Sequence, residues 1–491
     1  MMLHKLSANS RYRIWFGLGV PVTACLAAAI GPVVWQAVSG SNESVKQVVS
    51  VLSPLQAANA QPLGEPSIST DWAAPAKNRL VMCDAARDPK SYKFPGVQVV
   101  EEENGWLFRR MELSAQFGFS DERIHDLVRE LNGRLARNGT RLIILLTPPR
   151  MVLAKKHLAF LPDGQSRAEQ VEKRYRVMLA QLRADGALVP DILGEADRSG
   201  TSRDQLTDPG DIHWTPVGAL MAARAIARIV RADPRVQQVS PVSYHFSRSG
   251  SPVILEGLTR SVNDICGSHI PYPQVRSYDV PQRVGAGQSL LSKDNTLSLV
   301  VLGTSFSALD HRYNFSGFLG QATGLDVTNL SVIGGGVDEA LGQYLSSGAL
   351  EKDKPAYIIW EFTPTDLPRD TSIAVLRGLT GRACSNGLSS NVSFDPGEST
   401  AFGGGQLQKV SAGAATISLS SDNAALKKFT IRTRGFDGSA QSFDFDFERS
   451  ASPPRDFKLR LPTLSGVEAI TIQPATMIAG KIKASLCNST T

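Results

Sequence analysis

Between residues 98 and 380, continuous apolar runs alternate with segments that have the period of an amphipathic helix. The runs RLIILLTPP, LSLVVLGTSFS and AYIIWEFT begin with almost wholly apolar stretches, which is typical of strands buried on both faces of a sheet. Between them lie segments such as DERIHDLVRELNGRLARNG, whose apolar residues recur every three to four positions. This alternation predicts an α/β domain with a mostly parallel sheet that is covered by helices on both faces.

After about residue 385 the pattern changes to short alternating runs without a helical period. ATISLSS, KKFTIRTRGF, SFDFDFERS, DFKLRLPTL and EAITIQPA are separated by glycine, serine, aspartate and proline, which predicts a β-sandwich. A chain of 491 residues is also too long for one hydrophobic core. We therefore predict a signal or anchor segment at 1–42, a linker at 43–80, an α/β domain at 81–382 and a β-sandwich at 383–491.

The N-terminus has the pattern of an export signal. Lys5, Arg11 and Arg13 precede an uncharged, mainly apolar run from Ile14 to Asn42. The run is long enough to span a bilayer, and AANAQ offers a cleavage site after Ala60. Export is therefore expected, while cleavage and membrane anchoring remain as alternatives.

Composition and charge exclude several classes of function. The chain is 42% hydrophobic and 20% charged, which is ordinary for a globular protein. Its net charge of +6 suits an acidic partner, but without a cluster of lysine and arginine we expect no nucleic acid partner. No C-x-x-C, H-x-x-x-H or H-E-x-x-H motif occurs, so we expect no metal site.

The cysteines fit an exported chain that forms disulfides. Besides Cys25 there are four: Cys83, Cys266, Cys384 and Cys487. Four cysteines allow three pairings. We favour Cys83–Cys266 and Cys384–Cys487, because this pairing links each predicted domain within itself.

Two motifs supply the parts of a catalytic triad. In DPGDIHWTPVGA (208–219), Asp211 and His213 precede a helix that Thr215 can cap and that Pro216 can begin. Ser305 follows the buried strand 297–302 and Gly303, at the sheet edge where α/β proteins bind ligands. Asp211 would orient the imidazole of His213, which would accept the serine proton. The alternatives are a polar turn without catalysis, and His311 as a rival base.

Four segments, taken in order, resemble a known family. ENGWLF (103–108), DIHWTPVGA (211–219), VLGTSFS (301–307) and YIIWEF (357–362) are similar to segments of the bacterial exopolysaccharide O-acetyltransferases of the alginate type. This is the AlgX/AlgJ family of SGNH-hydrolase-like proteins, and the resemblance covers roughly residues 80–380. Because a predicted β-sandwich follows this region, the chain resembles the AlgX branch more than the AlgJ branch. The favoured disulfide pairing also resembles the arrangement in the AlgX branch.

The resemblance implies both a fold and an activity. It implies an SGNH-hydrolase-like sheet followed by a carbohydrate-binding module, with Asp211, His213 and Ser305 as the triad in a permuted chain order. The activity implied is transfer of acetyl groups, without a cofactor, onto an acidic exopolysaccharide in a Gram-negative periplasm. The implied partners are this polymer, an acetyl donor from a membrane-bound acyltransferase or its relay, and other components of a polysaccharide secretion complex.

Further residues are candidates for contacting a sugar. Trp106, Trp214, Tyr313 and Trp360 could stack on sugar rings, although buried aromatic residues are common in cores. Arg150, Lys155 and Arg312 could contact uronate carboxylates or lie solvated at the surface. A carbohydrate acetylesterase and a non-catalytic, polysaccharide-binding scaffold are the rival functions.

Overall fold

A computed structural model of the chain describes residues 82–93, 95–114, 122–254, 257–267, 270, 274–279, 282–284, 297–365, 370–380, 387–393, 398–408, 410, 415–421, 426–446, 456–461, 464–475 and 481–488. The predicted N-terminal segment, the linker, Cys25 and Cys384 lie outside the described residues. In the part described, no helix combines the length and the apolar character needed to cross a bilayer.

The α-helices of the described residues lie mainly in the first of the two predicted domains. In chain order they are α1 Asp84–Arg87, α2 Glu122–Arg137, α3 Arg150–Leu153, α4 Gly164–Ala184, α5 Ile192–Ser199, α6 Pro216–Val230, α7 Pro234–Gln237, α8 Gly257–Cys266, α9 Ser305–Ala308, α10 Asp310–Tyr313, α11 Phe315–Thr323, α12 Glu339–Ser346, α13 Ala349–Asp353, α14 Asp370–Thr380 and α15 Gly404–Leu407. Helix α6 begins as predicted, because Pro216 occupies its first turn and the Thr215 hydroxyl accepts from the Gly218 amide at 3.2 Å.

Four parallel strands form the central sheet of this domain. The strands up to residue 362 are β1 Val99–Glu102, β2 Trp106–Arg109, β3 Arg141–Leu146, β4 Ser243–His245, β5 Arg248–Ile254, β6 Gln274–Tyr278, β7 Gln282–Val284, β8 Ser298–Leu302, β9 Asp326–Asn329 and β10 Tyr357–Phe362. The sheet order is β3-β10-β8-β9, and every pairing in it is parallel. The predicted parallel sheet is confirmed, and all six residues of β10 are buried.

The C-terminal domain is a sandwich of two four-stranded antiparallel sheets. Its strands are β11 Leu388–Ser393, β12 Ser399–Gly403, β13 Ala415–Ser421, β14 Lys428–Gly435, β15 Ala440–Asp446, β16 Asp456–Leu461, β17 Val467–Pro474 and β18 Lys481–Asn488. One sheet has the order β11-β18-β13-β16 and the other β12-β17-β14-β15. Their inward residues, Phe402, Phe429 and Phe443 among them, form one buried core. The predicted sandwich is therefore confirmed.

The two domains form one compact unit through helix α14, which packs against strand β16. Glu130 of α2 links them, because it accepts from Arg377 of α14 at 2.6 Å and pairs with Arg460 of β16 at 2.7 Å. Helix α14 ends at Thr380 and β11 begins at Leu388. The predicted domain boundary at 382 falls between them, among residues outside the described part.

A disulfide joins the start of the α/β domain to the end of helix α8. Cys83 and Cys266 are bonded, with their Cα atoms 5.8 Å apart, which confirms this predicted pairing. Val99, Leu107 and Leu258 belong to the small hydrophobic cluster that surrounds it. The bond thereby fixes helix α8 beside the hairpin of β1 and β2. The second predicted pairing requires Cys384, so it stays a prediction.

Candidate active site

A buried arginine, Arg150, donates hydrogen bonds to the loop that carries Asp211 and His213. Arg150 is 5% exposed, and its guanidinium donates to the Thr207 hydroxyl at 3.0 Å and to the backbone carbonyls of Leu107 at 3.0 Å and Asp208 at 2.5 Å. A buried guanidinium must be hydrogen-bonded in this way to be tolerated. Arg150 therefore shapes the loop, which corrects the expectation that it meets sugar carboxylates or solvent.

Helix α8 holds the middle of the same loop. The amides of Leu258 and Thr259 both donate to the Gly210 carbonyl, at 2.9 and 3.1 Å. Gly257, with a positive φ of 28°, begins the helix so close to Asp211 that an added Cβ would lie 2.5 Å from the Asp211 carboxyl carbon. A side chain at position 257 would therefore displace Asp211.

Ser305, the predicted nucleophile, lies just beyond the carboxyl end of β8. Thr304 caps the short helix α9, and Ser305 is its first residue. Beneath this turn lies Glu361 of β10, which is fully buried. One of its oxygens accepts from the Thr304 amide at 2.8 Å and from the Ser307 hydroxyl at 3.0 Å. Gly303 permits this approach, because an added Cβ would lie 2.5 Å from the same carboxylate oxygen.

Asp211, His213 and Ser305 form one continuous hydrogen-bonded chain. Nδ1 of His213 lies 2.7 Å from Oδ1 of Asp211, and Nε2 lies 2.7 Å from Oγ of Ser305. A carboxylate at Nδ1 keeps the proton on that nitrogen, so Nε2 is left to accept the serine proton. This arrangement can activate a serine for nucleophilic attack.

The environment keeps Asp211 ionised. Burial alone would raise its pKa, but the hydrogen bond and charge of His213 outweigh burial, so the pKa lies below its ordinary value. The imidazole of His213 packs near two aromatic rings, with its centre 4.9 Å from that of Phe306 and 5.9 Å from that of Tyr313. The imidazole that lies within hydrogen-bond distance of the Ser305 hydroxyl is that of His213, and not that of the rival base His311. Burial is the main cause that lowers the pKa of His311.

The Ser305 backbone amide is free to bind an oxyanion. The neighbouring Thr304 amide donates to Glu361, and the Phe306 amide donates to the Thr304 hydroxyl at 3.3 Å. Within the described part of the chain, the Ser305 N–H has no hydrogen-bond acceptor. This N–H group is therefore available to donate a hydrogen bond to the negatively charged oxygen of a tetrahedral intermediate.

Two of the aromatic residues predicted to stack on sugars are buried in the core. Tyr313 is 0% exposed and packs on His213, and Trp360 is 1% exposed and donates to the Val337 carbonyl at 2.7 Å. Neither presents a ring face to a ligand, so these two expectations are corrected. Trp106 is 6% exposed and stacks on His157, with ring centres 4.6 Å apart. Its contact with a sugar stays a prediction.

The remaining candidates for sugar contacts, Trp214, Arg312 and Lys155, differ in burial and in hydrogen-bond partners. Trp214 is 4% exposed and lines a cavity beside the triad. Arg312 is partly buried, and its Nε finds no hydrogen-bond partner among the described residues. Lys155 pairs with Glu169 at 2.5 Å on the surface. The predicted roles of Trp214 and Arg312 in substrate binding stay predictions.

Two acids at the site, Glu361 and Asp208, are buried and were not predicted from the sequence. Glu361 could have been noticed as a charged residue within the apolar run YIIWEF. Asp208 carried no separate signal, yet it is fully buried and its Oδ2 has no partner among the described residues. Burial and then the nearby charge of Asp211 raise the pKa of Asp208 to about 7.

The cavity beside the triad opens at the carboxyl ends of β3 and β10. The space between its walls and out into the open solvent at its mouth is about 740 Å³. Its wall includes Trp214 and Phe306, which directly follow His213 and Ser305 in the chain. Pro148, Leu153 and other apolar residues form most of the rest. Such a concave, mostly apolar site with few polar groups is typical of ligand pockets.

Comparison with known proteins agrees with the fold. Residues 99–364 match the family model described as SGNH hydrolase-like domain, acetyltransferase AlgX. The solved structure of Pseudomonas aeruginosa AlgX superposes with a TM-score of 0.69 at 22% identity, covering 83% of this chain and 100% of that one. This likeness shows that the two proteins share the fold.

Curated relatives are similar over much of the chain. The alginate biosynthesis protein AlgX of Pseudomonas putida KT2440 is 27% identical over 324 residues, which are 64% of this chain and 67% of the relative. The probable alginate O-acetylase AlgJ of Pseudomonas aeruginosa PAO1 is 28% identical over 291 residues, which are 57% of this chain and 72% of the relative.

Proposed function

This chain belongs to the family of SGNH hydrolase-like domains of the acetyltransferase AlgX, and from that premise we propose that it is an O-acetyltransferase acting on an acidic, alginate-like exopolysaccharide. The observation that carries the proposal is the hydrogen-bonded chain from Asp211 through His213 to Ser305, with 2.7 Å at each step. The names of the relatives support the choice of polymer, since they are proteins of alginate biosynthesis and a probable alginate O-acetylase.

The first half of the reaction forms an acetyl-enzyme. Oγ of Ser305 attacks the acetyl carbonyl of the donor while Nε2 of His213 takes the hydroxyl proton. The Ser305 N–H stabilises the oxyanion, and Asp211 stabilises the imidazolium. The bond to the donor's leaving oxygen or sulfur then breaks, and Nε2 returns the proton to that leaving group. The acetyl group remains as an ester on Ser305.

The second half transfers the acetyl group to a sugar. A hydroxyl of the polymer loses its proton to Nε2 of His213 as its oxygen attacks the ester carbonyl. The bond between the carbonyl carbon and Oγ of Ser305 breaks, and Oγ recovers the proton from His213. The net change is transfer of the acetyl group from the donor's oxygen or sulfur to a sugar oxygen, so the reaction consumes neither water nor a redox cofactor.

The cellular setting is part of the same proposal. The N-terminal run of residues 14–42 would deliver the chain to the periplasm, either as a cleaved signal or as an inner-membrane anchor. There it would receive acetyl groups from a membrane-bound acyltransferase or its relay, beside the other components of a polysaccharide secretion complex. The β-sandwich would act as the carbohydrate-binding module.

The full-length chain, purified in detergent, provides the test. It is mixed with a chromogenic acetyl ester, with and without a mannuronate oligosaccharide, and mass spectrometry follows the acetyl groups on protein and sugar. We expect acetylated oligosaccharide from the wild type, with Ser305→Ala and His213→Ala reducing its rate by about a thousandfold or more. Ester cleavage with unmodified sugar would instead establish an esterase. No turnover by the wild type would favour the scaffold.

A further inference from the structure

The cavity beside the triad carries one unpaired positive charge. Its ionisable lining residues are Arg109, Glu112 and Arg150. Glu112 and Arg150 neutralise each other, with 3.1 Å between the carboxylate and the guanidinium. Arg109, at the end of β2, is partly buried. Among the described residues its guanidinium has no hydrogen-bond or ion-pair partner, because only its backbone amide contacts Glu112, at 2.7 Å.

Two neighbouring arginines, Arg150 and Arg110, already donate hydrogen bonds to the protein. All three nitrogens of the Arg150 guanidinium donate to protein atoms. Arg110, the neighbour of Arg109 in the chain, donates to the Gln98 side chain at 2.7 Å and does not line the cavity. A guanidinium that lines a cavity while its hydrogen bonds remain unmade is available to an anionic ligand.

The rest of the lining suits a sugar ring. Trp214 and Phe306 give an apolar wall, with ring centres 5.5 Å apart, next to the catalytic residues. Thr363 and Thr365 add hydroxyls that lie 2.7 Å from each other. Carbohydrates present both apolar ring faces and hydroxyls, so this combination can hold one sugar residue in a cavity whose wall includes the residue that follows Ser305.

We propose that this cavity is the acceptor subsite and that Arg109 binds the carboxylate of a uronic acid residue there. The inference deepens the proposed function and rests on it, since it names the residue that makes the acceptor an acidic sugar. Arginine is suited to this role because its planar fork pairs with both carboxylate oxygens at once. A neutral sugar would leave the cation of Arg109 without a partner.

Binding to an inactive form tests the proposal separately from catalysis. The full-length Ser305→Ala chain is titrated calorimetrically with a mannuronate oligosaccharide and with the same oligosaccharide after its carboxyl groups are reduced to alcohols. We expect Arg109→Gln to weaken binding of the acidic sugar by about tenfold or more and to leave the reduced sugar unaffected. Arg109→Lys should give an intermediate loss, because it keeps the charge and loses the fork.

Arg110→Gln is the matched control, since it removes an adjacent arginine outside the cavity, and it should bind both sugars like the parent. Unchanged binding of the reduced sugar also shows that Arg109→Gln is folded. Equal affinity of the parent for both sugars, no binding of the acidic sugar, or full affinity in Arg109→Gln would each overturn the proposal. Binding that depends on Arg109, without acetyl transfer by the wild type, would reject the proposed function alone.

Discussion

Glu361 of β10 fixes the backbone turn that carries Ser305, the proposed nucleophile. Its carboxylate lies under Gly303 and accepts from both the amide and the hydroxyl of Thr304, the residue that precedes Ser305. A buried carboxylate with several donors is held rigidly. Glu361 therefore acts as a positioning residue, through the backbone of Thr304 rather than on the substrate.

We predict that Glu361→Gln lowers kcat for the acetyl ester by about ten- to a hundredfold, while KM changes little. The amide keeps the shape but replaces one acceptor oxygen by a donor, so one hydrogen bond under the nucleophile is lost and Oγ is misaligned. Steady-state kinetics separates the two constants. Ser307→Ala removes only the hydrogen bond from the Ser307 hydroxyl, 3.0 Å long, leaves those from Thr304 in place, and should retain most of kcat. Wild-type kcat in Glu361→Gln would show that the turn holds its shape unaided.

At the scale of elements, the site depends on helix α8 being anchored at both ends. Its first amides hold the Gly210 carbonyl, and its last residue, Cys266, is bonded to Cys83. The disulfide spans 183 residues of sequence, so its loss releases a large loop in the unfolded chain. The same loss frees the helix that supports Asp211.

We expect Cys83→Ala combined with Cys266→Ala to lower the free energy of unfolding by about 2–5 kcal/mol. Calorimetry would measure the unfolding. The activity of the folded fraction, assayed well below the unfolding midpoint, should fall as well, because Asp211 and thus the imidazole of His213 become less well positioned. If that activity equals the wild type's, the amides of α8 hold the loop without the covalent link.

The elements that could be predicted from the sequence are those that a local pattern of apolar, capping and turn residues specifies. Strand β8, helix α6 with its Thr215 cap, and the placement of Ser305 at a strand end all follow from local pattern. Strand β11, with the sequence LSSNVS, lies at a sheet edge and lacks the alternation that reveals a strand. Arg150 and Tyr313 were misassigned because burial depends on residues distant in sequence, and the sequence gives no direct sign of it.

At the scale of the whole molecule, the sandwich is fixed to the catalytic domain by a close backbone contact. Gly378 of α14 faces strand β16, and an added Cβ would lie 2.8 Å from the Leu459 amide nitrogen. Backbone atoms cannot move aside as a flexible side chain can. Around this contact the ion pairs of Glu130 with Arg377 and Arg460 join both domains. The absence of a side chain at residue 378 therefore allows α14 and β16 to lie this close together.

Because of this contact, a glycine-to-alanine change at residue 378 should affect stability differently from the same change at residue 133. Gly378→Ala should lower the free energy of unfolding by about 1–3 kcal/mol, because the added methyl group forces α14 away from β16. In a calorimetric scan the sandwich and the catalytic domain should then unfold in two separated transitions. Gly133→Ala, in helix α2, meets no atom closer than 3.9 Å and should be neutral or stabilising by up to about 1 kcal/mol. A Gly378→Ala variant as stable as Gly133→Ala would show that the domains can separate slightly at no cost, and would leave the ion pairs of Glu130 as the determinant of their arrangement.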